Sequence, residues 1–197
     1  MVIPVSFYKQ GISGGNGAQH FDDSASIPDP DPKGLRVLSI RIRSGASIDS
    51  IQFVYLANGG QELPAPHHGG QGGNEAEFGL AEGEHLIRLE GSFGNYVDFL
   101  RLTTDKGRVK EFGMYHVPNT PGIAQAAPPP GSPLPFQTNY FGYAAPPGYE
   151  IFAIWGNAHS YLDAIGVVYR TILSAASNEE RDQKGRPKMA RPDSPTQ

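Results

Sequence analysis

Apolar and polar residues alternate over residues 35–43, where Leu38, Ile40 and Ile42 are separated by Ser39, Arg41 and Arg43. A two-residue period is that of a strand with one face buried and one face wet. Residues 51–56, 85–89, 99–104, 150–155 and 165–172 are dense in β-branched and aromatic side chains, which favour strands. Glycine clusters punctuate them: Gly14-Gly15-Asn16-Gly17, Gly69-Gly70-Gln71-Gly72-Gly73 and Asp105-Lys106-Gly107. No stretch of the first 170 residues carries a helical period. The pattern predicts an all-β protein of short strands joined by tight turns.

A motif recurs within this pattern. Gly45-Ala46-Ser47-Ile48-Asp49, Gly94-Asn95-Tyr96-Val97-Asp98 and His159-Ser160-Tyr161-Leu162-Asp163 each place an apolar residue before an aspartate. Two residues beyond each aspartate stands Ile51, Leu100 or Ile165, and four beyond stands Phe53, Leu102 or Val167. That is a turn ending in an acid, followed by a strand whose alternate residues enter a core. Glycine loops interleave with the acid turns, at 14–18, at 69–73 and, less clearly, at 119–122. Each unit has room for about four strands. Three four-stranded sheets around one core are the simplest architecture.

Composition narrows the classes of function. There is no cysteine among the 197 residues, which excludes disulfides, thiolate metal sites and a cysteine nucleophile. The net charge of -4 carries no large block of one sign, so neither nucleic acid nor an anionic membrane is expected as a partner. Without an apolar leader or a membrane-length run, a cytoplasmic or non-classically secreted protein without membrane insertion is expected. Half of the 18 prolines fall within 118–147, which reads as a long surface loop inserted between strands. Residues 174–197 have few large apolar side chains and balanced charge, and read as a disordered polar tail. The folded domain is therefore expected to span 1–173. Pro128-Pro129-Pro130 and Pro133 suggest the alternative function, a protein-interaction module working through that loop.

An acid turn beside a glycine loop suits recognition of sugars. A carboxylate accepts two hydrogen bonds from neighbouring hydroxyls, a tight turn aims backbone N–H groups at the same place, and glycine lets main chain approach closely. Tyr96 and Tyr161 stand where a ring could cover the apolar face of a sugar.

On these residues the chain resembles the jacalin-related lectins over roughly 11–170. The resemblance is carried by Gly14-Gly15-Asn16-Gly17 with Phe21-Asp22-Asp23, by Ile48-Asp49-Ser50-Ile51-Gln52, by the glycines at 69–73, by Thr104-Asp105-Lys106-Gly107-Arg108, and above all by Ser160-Tyr161-Leu162-Asp163-Ala164-Ile165-Gly166-Val167. It implies the β-prism I fold, three four-stranded Greek-key sheets with pseudo-threefold symmetry. It also implies up to three sugar sites. The first joins Ala18 to His159, Ser160, Tyr161 and Asp163, the second joins Gly73 to Gly45, Ala46, Ser47 and Asp49, and the third joins Gly122 to Gly94, Asn95, Tyr96 and Asp98. The family carries glycine where this chain has Ala18 and His159, so His159 fits only a turn that avoids left-handed backbone. By conformity to the motif, the second site ranks first, then the first, then the third. The uncut first loop implies mannose or glucose, on glycans of glycoproteins or cell surfaces, and a homo-oligomer is compatible with the family.

No cofactor, metal or catalytic group is expected. His67 and His68, considered with His20, are neighbours whose side chains point opposite ways on an extended chain. His159, Ser160 and Asp163 have the residue types of a hydrolase triad but share one tight turn without a nucleophile elbow. Three aspartates from different repeats lie too far apart for paired-acid glycoside hydrolysis. Trp155 reads as core.

Overall fold

The computed structural model describes residues 6–17, 19–25, 34–115, 129 and 139–172. Its strands in chain order are β1 (Phe7–Gly14), β2 (His20–Asp22), β3 (Leu35–Ser44), β4 (Ile48–Ala57), β5 (Glu62–Pro64), β6 (His68–Gly69), β7 (Asn74–Gly79), β8 (Leu86–Phe93), β9 (Val97–Thr104), β10 (Val109–Gly113), β11 (Tyr140–Ala144), β12 (Tyr149–Ala158) and β13 (Leu162–Thr171). A 3-10 turn at Asp23–Ala25 follows β2.

The strands form three antiparallel sheets. One has the order β10-β9-β8-β11, a Greek key in which β11 returns beside the first strand of its hairpin. In the second, β5-β4-β3-β7, the same edge of β4 also carries β6, so two short segments in series fill one strand position. The remaining sheet, β1-β13-β12-β2, is the same Greek key assembled from both ends of the chain: Phe7 pairs with Arg170 and Gly14 with Ala164.

Each hairpin carries bulges at equivalent places. In β3/β4 the pairing skips Leu38 and Asp49, in β8/β9 it skips Ile87 and Asp98, and in β12/β13 it skips Phe152 and Asp163. A bulge leaves one residue out of the ladder, bends the strand and re-aims a side chain. All three motif aspartates occupy such positions. The inner faces meet in one core that includes Ile42, Ile48, Ile51 and Phe53, Leu89, Val97, Leu100 and Leu102, and Ile154, Leu162, Ile165 and Val167. Ile48, Val97 and Leu162, the apolar residues before the aspartates, are fully buried, so the core anchors each turn directly.

The expected loop at 118–147 is corrected in part. Tyr140–Ala144 form β11, with Phe141 and Tyr143 in the core, because alternate residues here are apolar and β8 offers a free edge. The rest of that segment up to 138, apart from Pro129, and the expected tail at 174–197 lie outside the described residues. Trp155 is half-buried against the core, and its Nε1 donates to Gln10 O at 3.2 Å.

The end of the prism away from the acid turns is closed by a buried ion pair. Arg170 on β13 donates through Nε to Glu150 Oε1 at 3.0 Å on β12, and through Nη1 to Leu35 O at 2.8 Å at the start of β3. Its guanidinium lies 3.6 Å from the ring centre of Phe152. The other oxygen of Glu150 meets His85 Nδ1 at 2.8 Å, just ahead of β8. One pair thus ties all three sheets. Burial would raise the Glu150 carboxyl, but the His85 hydrogen bond and the Arg170 charge hold it below the usual glutamate value, while Glu150 in turn raises His85 against burial.

Two outcomes follow. Breaking a buried pair strands a charge, so Arg170→Met should cost about 3–5 kcal/mol in urea unfolding, and the Arg170→Met/Glu150→Gln double variant should cost less than the sum of the single changes. The raised His85 stabilises the fold at low pH and loses that contribution as pH rises through its folded pKa, whereas the lowered Glu150 loses its contribution as pH falls. Thermal stability should therefore peak between their ordinary values, 4.5 and 6.5, and His85→Gln should flatten the alkaline side of the profile.

Candidate functional site

The three acid turns sit together at the open end of the prism. In each, the first residue donates its N–H to the carbonyl of the third: Gly45 to Ser47 at 3.0 Å, Gly94 to Tyr96 at 2.9 Å and His159 to Tyr161 at 3.0 Å. Neither Gly45 nor Gly94 has positive φ, and a Cβ at Gly45 would meet nothing closer than 4.0 Å. The second turn thus has room for a side chain at the place His159 takes in the first, whereas a Cβ at Gly94 in the third would lie 3.3 Å from Asp98 Oδ2. His159 Nδ1 lies 3.0 Å from Ser160 Oγ.

A glycine closes each edge strand against its acid. Gly14, Gly69 and Gly113 all have positive φ, and a Cβ on any of them would overlap the backbone carbonyl of Asp163, Asp49 or Asp98. The next residue then donates to that carbonyl: Gly15 at 2.8 Å, Gly70 at 2.9 Å and Met114 at 3.0 Å. In the third repeat Gly113 holds the place of Gly14 and Gly69. Counted from there, the place of Gly73 falls on Val117, and both Val117 and Gly122 lie outside the described residues, as does Ala18.

The sites differ in how the carboxyl is surrounded. At the second site, Gly72 and Gly73 lie against the Asp49 carboxyl so closely that a Cβ on either would overlap it. Arg43 pins this loop, donating from Nε to Gly72 O at 2.8 Å and from Nη2 to Gly73 O at 3.0 Å, while its Nη1 lies 3.3 Å from Glu75. Sequence reasoning missed Arg43. Its place just before the acid turn, in a chain with a glycine-rich loop whose carbonyls need donors, was the available signal. At the first site Gly17 lies against the Asp163 carboxyl in the same way. Asp163 is 6% exposed, and its Oδ2 is buried with no hydrogen-bond partner among the described residues. Burial pushes this carboxyl above the usual aspartate range, against the pull of the His159 ring charge and of the His159 backbone N–H. At the third site Asp98 Oδ1 already accepts from Ser47 Oγ at 2.9 Å.

The turns also buttress one another. Gly15 packs on the Asn95 carbonyl and Gly70 on the Ser160 carbonyl, each too close for a side chain. Tyr96 and Tyr161 stack with ring centres 4.5 Å apart and remain 38% and 36% exposed. They form one shared platform between the first and third turns, not two separate covers. Ala46 stands exposed in the second turn.

Three Greek-key sheets closed into a prism, each delivering a bulge-borne carboxyl to one end, define a scaffold for recognising polyhydroxylated ligands. Residues 10–168 match the family model described as the Jacalin-like lectin domain, and the chain belongs to that family. A curated relative, horcolin of Hordeum vulgare subsp. vulgare, is 28% identical over 164 residues, covering 80% of this chain and 93% of the relative. Among solved structures, a mannose-binding jacalin-related lectin from Ananas comosus superposes with a TM-score of 0.62 at 26% identity, covering 84% of this chain and 99% of the other. A Malaysian banana lectin superposes with a TM-score of 0.59 at 25% identity, covering 85% of this chain and 100% of the other.

A buried carboxylate held above its ordinary pKa penalises the fold when ionised. Asp163→Asn should therefore raise the melting temperature at neutral pH, and the gain should fade as pH falls and the wild-type carboxyl protonates. Calorimetric melting of both proteins at pH 4 and pH 7 checks this.

Proposed function

We propose that the protein binds mannose- or glucose-type sugars of glycans, without catalysing a reaction, at the acid turns of its prism. The observation that carries this reading is the Asp163 carboxyl. It is brought to the open end by a bulge and faces Gly17, with an oxygen that no described residue satisfies. Such an oxygen costs stability unless a ligand donates to it. Two adjacent sugar hydroxyls would donate to the carboxylate, and the Ser160 and Tyr161 N–H groups would face the sugar from the turn. Asp49, backed by Gly72 and Gly73, would act alike at the second site with the N–H groups of Ala46 and Ser47. The name of the Ananas comosus lectin supports mannose as the sugar. The relatives named as lectins support binding without turnover.

Conformity to the motif ranks the second site ahead of the first. The third follows because Asp98 is already bonded to Ser47 and Met114 stands where the other repeats have Gly15 and Gly70. Two working sites on one end would raise avidity for branched glycans.

The test is isothermal calorimetry with methyl α-mannoside. Affinity per site should be near millimolar. Asp49→Ala and Asp163→Ala should each remove one equivalent of binding, and Asp98→Ala should change the stoichiometry little. The Asp163 share should be lost as pH falls through its raised pKa. Absence of binding to this sugar and to larger mannose glycans would sink the reading.

A further inference from the structure

Beside the first site lies a groove of about 190 Å³, lined by Gln19, His20, Phe21, His67, His68, Gly69, Ala158 and His159. Four of the six histidines of the chain therefore meet in one place. Sequence reasoning set His67 and His68 aside because neighbours on an extended chain point opposite ways. The prism fold brings them from β6 and the residue before it to β2 and to the turn that presents Asp163. His68 is held rigidly: its Nε2 meets Asp23 at 2.6 Å, and its ring stacks on Phe21 with centres 3.8 Å apart. Among the described residues no three histidine or acidic side chains stand where they could hold a metal ion, so the cluster calls for another ligand.

Size and place indicate which. The groove is below the roughly 300 Å³ at which drug-sized pockets begin, so it takes one ring and not two. It starts at Ala158 and His159 and at Gln19, whose carbonyl accepts from Ala158 N at 2.9 Å. A glycan held at Asp163 would lay its next residue here. The lining contains no carboxylate. Imidazolium rings donate to an anion on both nitrogens, the Gln19 amide adds a donor, and the Phe21–His68 stack offers an apolar wall.

We propose that this groove is a subsite for an acidic sugar residue, one bearing a carboxylate, sulfate or phosphate, joined to the sugar in the first site. The proposal rests on the sugar-binding reading of that site. Charges on every neighbouring element shape the groove. Asp23, after β2, answers His68, and Asp163, on β13, answers His159. Arg43 on β3 and Glu75 on β7 act on His67. Lys9 on β1 pairs with Asp22 and lies over Trp155, whose ring meets His20 edge-on. His20 and His67 are left to meet the ligand. Burial, His68 and Arg43 hold His67 below its ordinary 6.5. His67 gains its charge only below that value, so the preference for acidic sugars grows as pH falls.

The first test is calorimetry on the full chain at about pH 5.5 and about pH 7.5, on either side of the ordinary imidazole value, with methyl α-mannoside, a neutral mannobiose and a glucuronyl-mannose disaccharide. At the lower pH the acidic disaccharide should bind about tenfold more tightly than the neutral one, as one charge-assisted hydrogen bond allows. That gain should vanish at the higher pH and in His20→Gln/His67→Gln. Equal affinities for the two disaccharides at the lower pH, or a gain that survives in the double variant, would overturn the subsite while mannoside binding keeps the lectin reading. The second test follows the histidine side-chain NMR signals with sodium glucuronate alone at the lower pH. Saturable shifts of His20 and His67 support the groove even where methyl α-mannoside fails to bind, and their absence refutes it. Equal shifts with inorganic phosphate would reduce the site to an adventitious ion only.

Discussion

The buried pair of Arg170 and Glu150 is the contact on which the closed prism depends. A Greek key built from both chain ends has no turn between β1 and β13, so contacts of the β12/β13 hairpin must fix where this sheet lies relative to the others. Arg170 does this by reaching Glu150 within its own sheet and the Leu35 carbonyl at the start of the second, while Glu150 reaches His85 at the start of the third. A buried guanidinium must satisfy its donors, and here it reaches across two sheets to do so, while its partner Glu150 engages the third through His85. The pair therefore links closure of the chain to a single geometry.

With one end locked, the other end is free to carry bulges. The bulges at Asp49, Asp98 and Asp163 take these residues out of the ladder, and the buried Ile48, Val97 and Leu162 beside them keep the turns from relaxing. Packing of Gly15 on Asn95 and of Gly70 on Ser160 passes support from one turn to the next. The ring of turns is thus preorganised before a ligand arrives, which reduces the entropy lost on binding.

Pseudosymmetry places three carboxyls alike and then lets local chemistry separate them. Arg43 stiffens one loop, Ser47 occupies the carboxyl of another, and the buried oxygen of Asp163 stays without a described partner in the remaining one. The first site also borders a histidine groove assembled from two sheets. A threefold scaffold of this kind can hold one site for simple recognition and adapt its neighbour to a different extension of the ligand.

The alternation at 35–43, the β-branched runs and the spacing of the aspartates determined the strand content, the repeat and the acid turns, because each depends on residues close together in the chain. The split edge strand β5/β6 and the recovery of β11 from the proline-rich segment were not legible, since an edge strand takes its pairing from a neighbour more than from its own short sequence. The room for a side chain at the place of His159 is set by the shape of a turn, which residue type constrains but does not decide. Tertiary structure alone stacked Tyr96 on Tyr161, pinned a glycine loop with Arg43 and gathered His20, His67, His68 and His159 around one groove. The physical reason is common to all of these. They depend on how strands and turns are placed against one another, and no local period in a sequence records which of them will meet.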